Sequence, residues 1–173
     1  MKKIALIYWP KKGSTERAAN KIYDRFDKGM IDIFTITSIN TAEFGLYDAF
    51  IIGGSTTGAD NWEDTHKTRW AEFFVRLEKA GISGKPFAQF GLGDQILYPN
   101  NFVDGMRPIT ERFEKLGALH KGLWPVEGYD FQDSDSVVNG MFQGLALDLI
   151  NQDELTDGRI DRWVAQIKKE FGI

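Results

Sequence analysis

The sequence predicts one doubly wound α/β domain, in which a five-stranded parallel sheet with the strand order 2-1-3-4-5 carries helices on both faces. Short apolar runs alternate along the chain with segments whose apolar residues recur at helical spacing. Right-handed crossovers then leave few ways to order the strands. The chain has 173 residues, which suits a single domain, and no linker, internal repeat or low-complexity tract divides it. We therefore expect one domain over residues 1–173.

The first helix and the first three strands follow from the spacing of apolar residues. Continuous apolar runs are typical of buried strands, and these runs are Ile4–Trp9, Met30–Ile36 and Asp48–Gly54. Apolar residues three and four positions apart predict a helix over Ser14–Lys28. Its apolar stripe consists of Ala18, Ala19, Ile22 and Phe26.

Two more helices flank the fourth strand. Thr68–Lys79 is predicted to be helical because its aromatic residues and leucine fall on one side. Phe87–Leu92 is the fourth apolar run. Phe102–Leu116 has a helical pattern, which we expect to be interrupted near Pro108 because proline lacks an N–H group.

The last strand is predicted in two pieces. Gly117–Leu123 begins a fifth strand, and Phe142–Leu147 has strand character again. The stretch 124–140 between them is rich in Gly, Asp and Ser, so we expect an insertion that interrupts the fifth strand. Asp157–Phe171 is the closing helix. Its predicted buried stripe consists of Ile160, Trp163, Val164 and Ile167.

Composition and charge exclude several function classes. The net charge of −4 is unlike the basic surface that general nucleic-acid binding requires. No apolar run is long enough to cross a membrane, and the N-terminus is typical of a first strand rather than a signal peptide. Without cysteine, the chain has no disulfide, thiolate metal site or iron–sulfur cluster. We expect a cytoplasmic protein that binds no nucleic acid, membrane or metal.

Charge is unevenly distributed along the chain. Residues 1–30 carry eight Lys and Arg against three Asp and Glu, whereas residues 94–157 carry four against twelve. An acidic face can steer a basic partner protein at low salt. It can equally be an ordinary solvated surface, and the sequence leaves both interpretations open.

The first of three loops at the carboxyl ends of the predicted strands runs from Pro10 to Thr15. A loop that opens a helix offers free N–H groups and the positive end of the helix dipole to an anion. Gly13 lets the backbone turn tightly, two lysines precede it, and two hydroxyl side chains follow it. These features favour a phosphate site. The alternative is an ordinary strand–helix turn, because the loop matches neither a Walker A nor a dinucleotide-binding motif.

The other two loops bring glycines and rings to the same edge of the sheet. Gly53–Gly58 combines glycines with hydroxyls, which suits a close approach of the backbone to a ligand. Trp62 beyond it could stack on a ligand or pack beneath its own loop. In Gly91–Tyr98, glycines again leave the backbone accessible, and Tyr98 could cover a planar group or simply pack. No pairing of a nucleophile with a base is evident, so we do not expect an enzyme.

Four segments form a specific combination. They are GLGDQILYPNNF at 91–102, WPVEGYDF at 124–131, GLALDLINQ at 144–152 and LTDGRIDRWVAQIKKEF at 155–171. Together they resemble the long-chain flavodoxins, and the resemblance covers essentially the whole chain. It implies a flavodoxin-like fold and a low-potential one-electron carrier that holds a non-covalent FMN. It further implies a monomer that shuttles electrons between redox partner proteins docking at the exposed flavin edge.

The resemblance also implies a set of cofactor-binding residues. They are Pro10, Lys11, Lys12, Gly13, Ser14, Thr15, Ser55, Thr56, Thr57, Gly58, Leu92, Gly93, Asp94 and Tyr98. Residues 10–15 match the loop that holds the phosphate, and Thr56 matches a hydroxyl near the ribityl-phosphate end. The Thr57–Gly58 carbonyl matches one that can turn toward flavin N5. Residues 92–94 match the backbone at the pyrimidine ring, and Tyr98 matches the ring that stacks on the outer flavin face.

Some positions depart from the flavodoxin pattern. The family's phosphate loop usually alternates hydroxyl residues and ends in Asn-Thr, whereas here Pro10, Lys12 and Ser14 replace three of those positions. Proline removes an N–H donor, and lysine would neutralise a phosphate that the family normally holds with neutral donors. Two other hypotheses about the function therefore remain open. One is an FMN-dependent oxidoreductase resembling quinone reductases, and the other is a binding module whose cofactor is lost or altered.

Further departures concern the flavin ring and the ribityl chain. Trp9 stands where the family usually has a small residue, and Thr57 stands where many members have the inner stacking tryptophan. The longer loop that follows contains Trp62, which could replace the missing ring. Ile150 occupies a position where an acidic residue often lies near the ribityl chain.

Overall fold

The computed structural model of the chain describes residues 2–55 and 64–173, and for residues 64–68 it describes the backbone alone. The strands are β1 (Ile4–Trp9), β2 (Ile31–Thr35), β3 (Ala49–Ser55), β4 (Pro86–Leu92), β5 (Leu119–His120), β6 (Trp124–Pro125), β7 (Val137–Val138), β8 (Met141–Phe142) and β9 (Leu145–Leu147). The helices are α1 (Ser14–Tyr23), α2 (Asp64–Glu78), α3 (Met106–Lys115) and α4 (Asp153–Phe171), with a short 3₁₀ helix at Glu43–Leu46.

The central sheet has the order β2-β1-β3-β4-β5 with parallel pairing, which confirms the predicted fold class. Alternate residues of each strand point to opposite faces, so the sheet separates two cores. In β1, Leu6 packs in the core that α1 and α4 cover, whereas Ile7 packs in the core that α2 and α3 cover. The stripe predicted for the closing helix is confirmed, because its four residues are all buried.

Two predicted helices have different limits in the structure. The first ends at Tyr23 rather than Lys28, because the N–H groups of Arg25 and Phe26 donate to carbonyls only three residues earlier. The third begins at Met106 rather than Phe102, so the predicted interruption near Pro108 is wrong. Pro108 lies in the first turn of α3, where a missing N–H removes no helical hydrogen bond.

The fifth strand is shorter than predicted in both of its parts. β5 contains only Leu119–His120 and pairs with Pro86–Phe87 of β4, while β9 contains Leu145–Leu147 and pairs with Phe90–Leu92 of the same strand. Between them, β6, β8 and β7 form a small antiparallel sheet. We interpret this sheet as an insertion in the fifth strand.

The remaining predicted boundaries also differ from those in the structure. Among them, α2 begins at Asp64 and α4 at Asp153, so both helices start earlier than predicted. Within residues 2–55 and 64–173, no helix is long and apolar enough to cross a membrane.

Candidate functional site

A cavity of about 250 Å³ lies where the loops after β1, β4 and β9 meet the end of β3, at the edge of the sheet where doubly wound folds bind ligands. Its lining consists of Pro10, Lys12, Ser14, Thr15, Ser55, Leu92, Gly93, Asp94, Tyr98, Leu149 and Ile150. Of the predicted site residues, Lys11 and Gly13 are exposed beside the lining rather than part of it. Residues 56–58 and Trp62 lie outside the described residues.

The α1 end of the cavity, defined by Pro10, Lys12, Ser14 and Thr15, exposes the start of a helix. The loop enters through a cis peptide bond at Trp9–Pro10. Lys12 (φ 66°) and Gly13 (φ 81°) then have left-handed backbone conformations. α1 has no side-chain cap, and no group among the described residues accepts a hydrogen bond from the N–H of Ser14 or Thr15. Free N–H groups at a helix start are available to an anion.

Glu16, in the first turn of α1, holds this loop in place. Its Oε2 atom accepts a hydrogen bond from the Lys12 N–H at 3.1 Å, and its Oε1 atom accepts one from the Tyr8 hydroxyl at 2.5 Å. Burial and the bond to Glu16 raise the pKa of Tyr8 to about 12. One carboxylate therefore ties the loop to both β1 and α1.

The β4 end of the cavity, defined by residues 92–94, Tyr98, Leu149 and Ile150, contains a turn built around Asp94. Its Oδ1 atom accepts hydrogen bonds from the N–H groups of Ile96 at 3.1 Å and Leu97 at 2.8 Å. Its carbonyl accepts the Tyr98 N–H at 2.9 Å. The Tyr98 side chain stays 42% exposed on the cavity lining, where its ring can cover a planar ligand.

A fully buried carboxylate, Asp148, is bonded to the same turn. Its Oδ2 atom accepts the backbone N–H of Gln95 at 3.1 Å and the Gln95 side chain at 3.0 Å. Its Oδ1 atom accepts the N–H groups of Ile150 at 3.1 Å and Asn151 at 3.0 Å. Burial alone would raise the pKa of Asp148, but the hydrogen bonds outweigh it and lower the pKa below its ordinary value. Asp148 is therefore a buried anion at neutral pH.

Asn151 joins the two carboxylates of the β4 end. Its Nδ2 atom donates to Asp94 Oδ1 at 2.8 Å and to Asp148 Oδ2 at 2.8 Å. Sequence reasoning missed Asn151, Asp148 and Gln95 as parts of the site. A signal for Asp148 was present, because an acid inside the apolar run 145–149 must be hydrogen-bonded if that run is buried.

The insertion supports the β4 end from outside the cavity. The Asp130 N–H donates to Gln95 Oε1, and Gln95 is itself bonded to Asp148. The guanidinium carbon of Arg159, in α4, lies 3.9 Å from the centre of the Tyr129 ring. The Nη2 atom of the same side chain donates to the Gly128 carbonyl at 2.9 Å. The insertion is therefore fixed both to the turn after β4 and to α4.

The described lining offers binding groups rather than a catalytic pair. Its titratable side chains are Lys12, Asp94 and Tyr98, and the carboxylate of Asp94 is already engaged by the turn. The arrangement suits a ligand with an anionic group at one end and a flat ring at the other.

Comparison with known proteins gives one consistent result. A family model described as Flavodoxin matches residues 6–163. The flavodoxin of Trichodesmium erythraeum is 42% identical over 177 residues, and that of Synechococcus elongatus is 37% identical over 174 residues, each match covering 100% of both chains. The crystal structure of Fusobacterium nucleatum flavodoxin bound to flavin mononucleotide has a TM-score of 0.87 and 28% identity, covering 99% of both chains.

Proposed function

The chain belongs to the flavodoxin family, and from this we propose that its cavity holds one non-covalent FMN, with the phosphate at the α1 end and the flavin ring at the β4 end. It is an FMN-binding electron carrier rather than an enzyme. The bound FMN supplies the redox chemistry, while the protein supplies binding and electrostatics. The observation that carries this placement is one cavity that joins an uncapped helix start to an exposed tyrosine ring.

The α1 end has the donors that a phosphate requires. The N–H groups of Ser14 and Thr15 lack acceptors among the described residues, and both residues line the same space. The Lys12 side chain adds a positive charge at the lining. Pro10 contributes no N–H donor, so the lysine offsets the donor that proline removes.

The β4 end has the features that a flavin ring requires. Leu92, Gly93 and Asp94 line the cavity where the pyrimidine part of the ring would bind, and the exposed ring of Tyr98 would cover the outer face of the flavin. Asp94 and Asp148 make added negative charge at this end costly. This electrostatic setting favours a low reduction potential. Thr56, Thr57 and Gly58, which lie outside the described residues, stay in the proposed set of FMN-binding residues.

The rim of the β4 end is the proposed docking face for redox partners. Ile96, Leu97 and Ile150 are 59%, 67% and 70% exposed, which is unusual for apolar side chains that lie close together. A partner that covers them reaches the edge of the proposed flavin position. We propose that the carrier acts as a monomer in the cytoplasm, because an electron carrier must leave its flavin edge accessible to successive partners.

The test is the visible absorption spectrum of the purified protein with added FMN, followed by stepwise reduction. We expect flavin bands that remain with the protein through gel filtration, and two separate one-electron reduction steps. A protein that retains no flavin would contradict the proposal. The oxidoreductase alternative is tested by turnover of NAD(P)H with a quinone, for which we expect no activity above that of free FMN.

A further inference from the structure

We propose that Asn151 is a positioning residue for the ring end of the FMN site, because its side-chain amide bridges the carboxylates of Asp94 and Asp148 and holds the turn after β4 in the shape that receives the ring. This inference rests on the proposed function and deepens it. It assigns a role to a side chain that lies outside the cavity lining.

The bridge uses one nitrogen atom for two anions. Asn151 Nδ2 is 2.8 Å from Asp94 Oδ1 and 2.8 Å from Asp148 Oδ2. Two carboxylate oxygens that contact the same atom repel each other strongly unless donors lie between them. Asn151 is exposed, and α4 begins only at Asp153 without a side-chain cap. Its amide therefore serves the two carboxylates and does not cap the helix.

Removing the Asn151 amide should affect Asp94 more than Asp148. Without the amide, Asp148 keeps both bonds from Gln95 and two backbone N–H donors. Asp94 keeps only the N–H groups of its own turn, and the repulsion from Asp148 is no longer offset. The turn that contains Ile96 and Leu97 should therefore loosen while Asp148 stays in place.

The decisive experiment compares Asn151→Leu, which has nearly the same shape and no donor, with Asn151→Gln, which keeps the amide. Amide hydrogen exchange at Ile96 and Leu97 is measured in the protein without flavin, and dissociation constants are measured for FMN and for riboflavin. With leucine, we expect exchange to be about tenfold faster and both flavins to bind about tenfold more weakly, by the same factor. Glutamine should restore a substantial part of both properties.

A matched control is Asn101→Leu, which removes an exposed side-chain amide that donates to Asp104 Oδ2 at 3.0 Å and does not line the cavity. It should change neither exchange at Ile96 and Leu97 nor flavin affinity. Wild-type exchange at those two amides in Asn151→Leu would overturn the proposal, as would a loss of affinity confined to FMN. If even the wild-type protein binds no flavin, the proposed function fails, and the exchange comparison still decides whether Asn151 holds the turn.

Discussion

The two ends of the cavity differ in how the protein holds the backbone that faces the ligand. At the β4 end, the side chain of Asp148 accepts five hydrogen bonds and that of Asp94 accepts three. At the α1 end, the side chain of Glu16 accepts two, and Ser14 and Thr15 offer N–H groups that no described residue accepts. The β4 end is therefore organised by the protein itself, whereas the α1 end offers donors that the proposed phosphate would complete.

The physical properties of the two parts of the proposed ligand, its phosphate and its ring, would account for this difference. A phosphate is a strong multivalent acceptor, so open donors at a helix start gain bonds when it binds. A flat ring makes few hydrogen bonds and depends on surfaces that are already in place, because ordering a loop during binding costs conformational entropy. The hydrogen-bonded carboxylates of Asp94 and Asp148 supply that order in advance.

Asp148→Ala should have the largest effect on this arrangement. It removes a fully buried carboxylate that accepts five hydrogen bonds, so we expect the free energy of unfolding to fall by about 3 to 5 kcal/mol. Urea denaturation of the protein without flavin measures this loss. The control is Asp130→Ala, because Asp130 is exposed and its carboxylate accepts no hydrogen bond among the described residues. Equal effects of the two variants would show that the β4 end is not organised by Asp148.

The same carboxylate should make stability depend on acid pH. Its folded-state pKa is lowered by hydrogen bonds, so its contribution is present above the unfolded pKa of about 3.9 and is lost as pH falls through the folded value. We expect the difference in unfolding free energy between wild type and Asp148→Ala to shrink as the pH falls below about 4. Denaturation curves at a series of pH values test this. A difference that grows as the pH falls would contradict the assigned direction of the shift.

At the α1 end, Glu16→Ala should cost less than the change at Asp148. Tyr8 is only 6% exposed, and its hydroxyl and the Lys12 N–H lose their acceptor, so we expect a loss of about 1 to 2 kcal/mol in unfolding free energy. Tyr8→Phe removes a donor instead of an acceptor and should be milder. If Tyr8→Phe proves as costly as Glu16→Ala, Glu16 does not hold the loop through these bonds.

Lys12→Ala should distinguish the two ends of the cavity, because it should weaken the binding of FMN and not that of riboflavin. Because Lys12 lies on the cavity lining at the phosphate end, we expect FMN to bind roughly three- to tenfold more weakly at low salt, while riboflavin, which lacks the phosphate, is unaffected. Flavin fluorescence titrations measure both constants. Lys11→Ala is the matched control, since Lys11 is exposed beside the lining, and it should change FMN binding less. A loss of equal size for FMN and riboflavin would place Lys12 outside the phosphate site.

Most helices and strands of the fold could be predicted from the sequence, because burial of one or two faces makes apolar residues recur at a regular spacing. The apolar run Ile4–Trp9 coincides with β1 from end to end. The errors occurred where local geometry overrides the pattern. Pro108 interrupts nothing because it falls in a first turn, and the fifth strand is reduced to Leu119–His120 and Leu145–Leu147 because pairing with β4 occurs only at those two places.

The sequence predicted the residues that would contact the ligand, but it did not predict the residues that hold those residues in position. Glycines, hydroxyls and lysines after apolar strands indicate a binding loop by their chemistry alone. Gln95 and Asn151 give no such signal, because their importance comes from contacts with Asp148 and Asp94 that only the folded chain brings together. Ile150, which the family resemblance placed near the ribityl chain, lies on the lining.

The smallest expected effect tests whether the two ends are coupled through the helices that start from them. α1 begins at one end of the cavity and α4 begins just after the other, and Arg25, just beyond the end of α1, contacts Asp157 at 2.7 Å and Asp161 at 2.9 Å of α4. Both aspartates are more than half exposed, so Arg25→Ala should lower the unfolding free energy by roughly 0.5 to 1 kcal/mol, and less at high salt. Because these ion pairs lie outside the cavity lining, the ratio of FMN to riboflavin affinity should stay at its wild-type value. A changed ratio would show that the spacing of the two helices sets the distance between phosphate and ring sites, and that the ends do not act independently.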